Sequence, residues 1–598
     1  MDNLQNEPIS KLLKMAHQLE KKPDTYSVAK DSGKHARIAV LGSHSIQHFV
    51  RVLRLFLDRA HINGELYEGE YGGISMDALD NNSPLFSFRP EIVVLLLRYT
   101  DFPMETRADL EKAKAFLRNI RVHISQIPGV MILCSNIALP LERPYGSLEA
   151  AYGDSRLSLF KELNLEMTRN RPSNVRIVDM EYLSSYYGKQ NWFDDTAYYL
   201  SKQGFSMDYL GPVAHEVTQM IRPLLGTVRK CLVLDLDNTL WGGVVADEGA
   251  LGIELDPHNP IGEAYRAFQR YVLSLKNRGV ILAVNSKNDE EIAKEPFSQN
   301  PDMILKLSDI ACFVANWSDK ASNMAYIAKR LNIGIDSLVF FDDNPVEREI
   351  IETFCPQVQV IDVPEEPENY IRALDQASPF EWSEITEEDR SRASSYAENA
   401  AREELAVSFA DYRDYLKALQ MTGKAAPVAE AEIGRFTQLT NKSNQFNVRT
   451  MRFTEGEIRN MAADSDFRLI AVSLTDKFTR YGVISCIILK RGDLAGFEKT
   501  DCFIENWCMS CRVLKRSVEQ FAFREIAGEA RDMGCKRLIG EYVRTRKNGM
   551  VEGLFAKLGF VPLSGSERVL YEYDLAKVPE EEIFIGEENY YLVNNHGC

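Results

Sequence analysis

Residues 231–243 read CLVLDLDNTLWGG. A short apolar run of strand type ends directly in Asp235 and Asp237, and period-two geometry puts carboxylates at that spacing on one side of the chain. Asn238 and Thr239 then supply a tight turn. Acids at the carboxyl end of a buried strand stand where open α/β sheets gather their active sites. Crowded carboxylates repel one another unless a cation lies between them, and an all-oxygen ligand set selects magnesium.

Three further elements follow in the order that phosphoryl transfer needs. The next strand, ILAVNSKND from 281 to 289, ends in Asn285 and Ser286, where an amide, a hydroxyl and backbone N–H groups can hold a phosphoryl oxygen. Lys320, in NWSDK, can neutralise a nucleophile and the phosphoryl group together. Asp342 and Asp343, in LVFFDDNP, follow another strand and complete a metal site. Taken singly these are bland: a DxD is often a loop, a lysine is usually a solvated charge, and DD before NP is an ordinary turn. All of them at successive strand ends, in order, point to a magnesium-dependent phosphoryl-transfer unit.

These motifs resemble those of the haloacid dehalogenase (HAD) superfamily. DLDNTLWGGVVADEG, FFDDNPVERE and NKSNQFN at 441–447 narrow the resemblance to its FkbH-like branch, although Ser443 stands where threonine is expected. The resemblance implies that Asp235 is the nucleophile and that Asp237 acts as general acid and then base. It also implies that Asp235, Asp237, Asp342 and Asp343 hold the metal, and that Ser286, Asn285 and Thr239 line the substrate. The spacing from Asp237 to Ser286 leaves no room for a large inserted lid, so any cap is small.

Working outward, residues 37–225 alternate strand and helix. RIAVLG, EIVVLLL, VMILCSN and VRIVDM are the apolar runs of buried parallel strands, which predicts a doubly wound flavodoxin-like unit. By strand pattern it resembles the SGNH hydrolases, with Ser43 of LGSHS at the first strand's end. The GDS signature is missing there, and Asp208 is followed by Gly211 where a DxxH would place histidine, so a degenerate structural or docking unit is expected.

On the other side, FRLIAVSLTD, YGVISCIILKR and DCFIENWCMS are strands, followed by a helix expected over 512–534. This part resembles the GNAT acyltransferases through MSCRVLKRSVEQ, Asn548 in RTRKN and LFAKLGF. It departs from them at Lys515, Arg516 and Ser517, where the phosphate-binding loop is usually glycine-rich. Cys511 stands at the expected helix start beside Arg512, a setting that favours thiolate. On chemistry alone an activated thiol and a packed one both remain open. The FkbH-like resemblance favours a nucleophilic Cys511, with Arg512 and Asn548 at the substrate, and leaves Cys508 to packing.

The expected architecture is therefore α/β and multidomain. It comprises a helix and linker (1–34), an SGNH-like domain (35–227), a HAD-like core with minimal cap (228–375), a helical connector (376–426), a GNAT-like α+β domain (427–576) and a tail (577–598). The chain has 598 residues, 45% hydrophobic and 26% charged, with a net charge of −17 that argues against general nucleic-acid binding. No stretch approaches the ~20 apolar residues of a membrane span, and the N-terminus lacks a signal-type core, so a cytoplasmic location is expected. Ten scattered cysteines form neither a disulfide framework nor a zinc site.

Members of the FkbH-like branch are associated with making glyceryl-acyl-carrier-protein from 1,3-bisphosphoglycerate. The resemblance implies capture of the acyl-phosphate as a thioester, removal of the remaining phosphate at the HAD site, and transfer of the glyceryl group to a carrier's phosphopantetheine thiol. No carrier attachment sequence of DSL type occurs, so the carrier is expected to be a separate chain. The alternatives are a small-molecule or sugar phosphatase serving polysaccharide biosynthesis and a GNAT-like assembly scaffold. The intact acids and Lys320 weigh against the scaffold.

Overall fold

A computed structural model of the chain describes residues 4–29, 34–226, 228–382, 409, 411–443, 445–492, 497–510, 513–545, 548–563, 569–577 and 582–587. These fall into two compact units, Met1–Leu225 with Phe453–Arg459, and Gly226–Arg452 with Asn460–Cys598. Among the described residues, no helix is long and apolar enough to cross a membrane.

The first unit is built on β1 (His35–Gly42), β2 (Asn63–Glu68), β3 (Ile92–Leu96), β4 (Met131–Ser135) and β5 (Val175–Val178), all parallel, in the order β2-β1-β3-β4-β5. Every residue of β3 is buried, which is why it reads as an unbroken apolar run. Helices Gln47–Arg59 and Leu210–Leu224 share one core with Ile38, Val40 and Val94, while Arg107–Ile124 and Arg156–Arg169 share another with Ala39, Val93 and Leu95. Both faces are thus covered, as the doubly wound reading requires.

The second unit carries two sheets. One contains β6 (Cys231–Leu234), β7 (Ile281–Ser286), β8 (Ile310–Ala315), β9 (Leu338–Phe341) and β10 (Gln359–Val360), parallel, in the order β10-β9-β6-β7-β8. Central β6 sets the register: Leu234 faces Phe341 on one side and Val284 on the other, so the residues just beyond them (Asp235, Asp342 and Asn285) emerge together. Local sequence starts the helices that follow. Pro260 opens Pro260–Arg278 behind the Asn259 cap, and Gly279 ends it at φ 109°, a left-handed stop that favours glycine. Asp319 caps Lys320–Arg330, and Asn344 with Pro345 starts Pro345–Phe354. Between β6 and β7 stand only the short helix Val245–Glu248 and Pro260–Arg278, a minimal cap.

The other sheet has eight strands, in the order β16-β17-β15-β14-β13-β12-β11-β18. They are β11 (Met421–Pro427), β12 (Phe467–Thr475), β13 (Arg480–Arg491), β14 (Asp501–Met509), β15 (Arg537–Glu541), β16 (Val561–Pro562), β17 (Leu570–Asp574) and β18 (Ile585–Glu587). It is mostly antiparallel, but β14 and β15 run parallel, and helix Val518–Asp532 packs into its core through Phe521, Ala522 and Ile526. This is the expected GNAT-like α+β architecture. One boundary differs. The helix expected from 512 begins at Val518, because Lys515 (φ 65°) and Ser517 (φ 60°) take left-handed conformations that a helix cannot continue through. The helix start expected beside Cys511 is therefore at Val518.

Candidate active site

Every group predicted for phosphoryl transfer lies at the carboxyl edge of the β6–β9 sheet. Asp235 leaves β6 with its N–H donating to Phe341 O at 3.0 Å. The chain then reverses through Asn238 at φ 52°, a conformation asparagine tolerates, and Tyr370 Oη donates to the Asn238 carbonyl at 2.9 Å to hold the turn. Oxygen atoms of Asp235, Asp342 and Asp343 all lie within 4.8 Å of one another. Lys320 Nζ sits 2.9 Å from Asp235 Oδ1 and 2.6 Å from Asp342 Oδ2.

Burial sharpens the electrostatics. Lys320 is 3% exposed and Asp342 is 0% exposed. Burial opposes the charge on Lys320, but Asp235 and Asp342 outweigh it and lift its pKa. Burial, then repulsion from Asp235, raises Asp342 to about 7 and also raises Asp343. A single lysine against three crowded carboxylates, two of them buried, leaves negative charge uncompensated, which is costly in a low-dielectric site. Asp235 Oδ1 is buried against Lys320 Nζ, which it shares with Asp342. An all-oxygen set of three crowded carboxylates whose charge one lysine does not balance fits magnesium.

Asp237 belongs elsewhere. Its Oδ1 accepts from Trp241 Nε1 at 2.9 Å and Val245 N at 3.0 Å, and its Oδ2 accepts from Asn288 Nδ2 at 2.9 Å. Its carboxylate is therefore outside the three-acid group, which corrects the expected four-carboxylate metal set. Burial raises its pKa against those hydrogen bonds. Asn285 is likewise spent: its Nδ2 donates to Lys320 O at 3.0 Å and its Oδ1 accepts from Asn323 Nδ2 at 3.1 Å. It positions the first turn of Lys320–Arg330 and offers substrate nothing. Thr239 Oγ1 donates to Asp343 Oδ1 at 3.1 Å and accepts from Asp343 N, so it fixes that acid. Ser286 ends β7, buried beside Asn285.

Asn288 carries no local signal in the sequence, and neither does Arg348, whose Nη1 donates to the carbonyls of Asp342 and Asp343 at 2.9 and 2.8 Å. Trp241, four residues beyond Asp237, was the one readable signal.

A pH effect follows from Asp342. Its folded pKa of about 7 exceeds the ordinary 3.8, so the metal-free fold holds a proton that the unfolded chain releases. That stabilising term is complete below the lower value and is lost as pH rises through the higher one. Magnesium competes with the proton. The rise in melting temperature on adding magnesium is therefore expected to be larger at about pH 8 than at about pH 5.5. Scanning calorimetry with chelator or magnesium measures it, and equal shifts at both pH values would contradict the cluster's electrostatics.

In the eight-stranded sheet, Cys511 and Arg512 lie outside the described residues. Asn548, expected at the substrate, is 0% exposed. Its Oδ1 accepts from Thr545 N at 2.7 Å, and its Nδ2 donates to the carbonyls of Asn447 and Val543, both at 2.9 Å. Those bonds occupy the amide and make it a structural latch. Cys508 is fully buried against Thr440, in keeping with packing. In the first unit, Ser43 follows β1, and its N–H donates to Leu96 O at 3.1 Å. Neighbouring His44 is buried, with its pKa pushed down to about 4 by burial.

Comparison with known proteins agrees with the acidic site. The family described as FkbH, N-terminal domain, matches residues 37–222. The crystal structure of the N-terminal part of BF1531 from Bacteroides fragilis, containing a phosphatase domain complexed with Mg, is 32% identical, covers 63% of this chain and 100% of its own, and superposes with a TM-score of 0.58. The GNAT domain of S. lividans PAT is 15% identical over 25% of this chain and 90% of its own, with a TM-score of 0.21. The putative acetyltransferase yncA of Salmonella typhimurium, solved with its cofactor acetyl-CoA, is 14% identical over 26% of this chain and 94% of its own, with a TM-score of 0.20. No curated protein matches the chain.

Proposed function

This chain belongs to the FkbH-like family, and from that premise we propose that it releases phosphate from a phosphorylated glycerate and loads the glyceryl unit onto a separate acyl carrier protein. A phosphatase-type role is the firm part of this reading. The observation that carries it is the buried group of Asp235, Asp342 and Asp343 held against Lys320.

In the phosphatase step an Asp235 oxygen attacks phosphorus and the bond to the leaving oxygen breaks. Asp237 gives that oxygen a proton, and burial moves its pKa upward, the direction a general acid needs. The resulting aspartyl-phosphate is then hydrolysed by a water that Asp237 deprotonates, which splits one hard displacement into two easier ones. Lys320 neutralises the Asp235 carboxylate and stays charged throughout. Magnesium, held by Asp235, Asp342 and Asp343, would stabilise charge on the phosphoryl oxygens.

In the acyl step the Cys511 thiolate attacks the acyl-phosphate carbonyl of 1,3-bisphosphoglycerate. A thioester forms and inorganic phosphate leaves; the carrier's thiol later attacks that thioester and frees Cys511 as thiol. Support for this step comes from the family's MSCRVL stretch. Intact-protein mass spectrometry after incubation with the acyl-phosphate tests it. A hydroxylamine-labile glyceryl adduct is expected on wild type and Cys508→Ala, and absent from Cys511→Ala. An adduct that persists in Cys511→Ala would end the covalent mechanism and leave direct transfer to the carrier.

A further inference from the structure

β14 and β15 pair only where Asp501, Cys502 and Phe503 face Arg537, Leu538 and Ile539. Beyond that point they part, while β14 continues to Met509. Strands that splay inside a sheet leave facing rows of backbone N–H and C=O groups that need partners. An acyl coenzyme A, the cofactor that a GNAT-like fold implies, carries a pantetheine arm with two amides. Such an arm satisfies an open strand edge as an added strand does.

In this chain the wedge is filled from within. Val448 N donates to Trp507 O on β14 at 3.1 Å, and Met509 N donates to Phe446 O at 3.0 Å. On the other side, Val543 N, just past β15, donates to Val448 O at 2.9 Å. Val448 therefore bridges the diverging strands through its backbone, beside the isolated antiparallel bridge of Asn447 to Cys508. Asn447 and Val448 are both 0% exposed, and Phe446 packs edge-on against Trp507. Two side chains lock the segment. Asn548 Nδ2 ties the Asn447 carbonyl to that of Val543. Arg449 spans the gap, 2.9 Å from Glu505 on β14 and 2.7 Å from Glu541 at the end of β15. The turn ahead of helix Val518–Asp532 fits the cofactor no better, since Lys515, Arg516 and Ser517 supply no glycine and Arg516 Nη1 is drawn to buried Asp476 at 3.4 Å.

We infer that residues 446–449 are a built-in plug, latched by Asn548 and Arg449, that closes this wedge to pantetheine, so the GNAT-like sheet does not take coenzyme A there. Pantetheine could enter only by breaking these backbone bonds and exposing a fully buried segment. A carrier's arm meets the same obstacle and must reach this sheet by another approach. The inference stands apart from the phosphatase reading, because neither result below depends on phosphate release.

The test is amide exchange and calorimetry on the full chain. With coenzyme A or acetyl-coenzyme A at about 1 mM, no saturable binding is expected, and the amides of Val448, Met509 and Val543 stay protected. Asn548→Ala is expected to speed exchange at Val448 and Val543 by at least about tenfold, while amides of β6 keep wild-type protection and so report an intact fold. Saturable binding that leaves these amides protected places the cofactor elsewhere and supports the plug. Binding accompanied by loss of protection at Val448 and Val543 would overturn it. So would fast exchange of these amides in the unliganded wild type.

Discussion

Asp235→Asn is expected to abolish magnesium-dependent phosphate release while the protein stays folded. The amide nitrogen and its carbonyl partner cannot attack phosphorus, and loss of a covalent nucleophile removes several orders of magnitude of rate. The same substitution relieves strain in the resting site. Asp235 is a source of the repulsion that raises Asp342 and Asp343, and Lys320 keeps its 2.6 Å contact with Asp342 when the first acid is neutral. Metal-free Asp235→Asn should therefore melt no lower than metal-free wild type, an unusual result for a buried polar substitution. Phosphate release and calorimetry in chelator read the two effects separately. Near-normal turnover on the best phosphate substrate would remove Asp235 as nucleophile; a large drop in melting temperature would mean that the acid holds the fold in a way the charge cluster does not capture.

That contrast shows what could be read before the fold was known. Asp235, Lys320, Asp342 and Asp343 were legible because each follows an apolar run, and parallel strands in register bring their carboxyl ends together. Asp237 was legible as a member of the site but not as to its partners. Strand alternation ceases once β6 ends at Leu234, and Trp241, Val245 and Asn288 then decide where its carboxylate points. Asn285 was misread for a related reason: at a strand end an amide can face substrate or bond the next helix, and only Asn323 and the Lys320 carbonyl settle which.

In the eight-stranded sheet the failures are longer in range. Residues 513–517 contain good helix formers, yet two left-handed residues delay the helix to Val518. All but the last residue of β11, MTGKAAP, lies in the span expected to be a helical connector (376–426), because its strand character comes from pairing with β12 rather than from apolar alternation. The stretch QFNVRT carries no strand signal at all. Its conformation is fixed by Trp507 and Val543, dozens of positions away, and no local pattern encodes that.

Lys320→Met should damage activity and stability together, where Asp235→Asn removes activity alone. Methionine keeps much of the volume and removes the charge, so packing is not the main loss. What remains is Asp235 at 8% exposure and Asp342 at 0%, beside Asp343, with no cation among them. Removing one partner of a buried ion pair typically costs about 3–5 kcal/mol, since the stranded charge has neither water nor a counter-ion. In the wild type Lys320, together with the Asn344 N–H, pulls the Asp342 pKa down, so in the variant Asp342 should hold its proton to still higher pH. With a folded value raised above the ordinary 3.8, stability is present at low pH and lost as pH rises, and the variant's deficit in chelator should therefore be larger at about pH 8 than at about pH 5. Magnesium supplies positive charge to the same carboxylates and should restore much of the stability. It should not restore turnover, because the cation beside the attacking oxygen is still missing, a loss of roughly 100- to 1000-fold by analogy with other preorganised electrostatic groups. Urea unfolding with and without magnesium, set beside phosphate release, separates the two roles. A variant as stable as wild type in chelator at high pH would show that the lysine is not what holds these acids together.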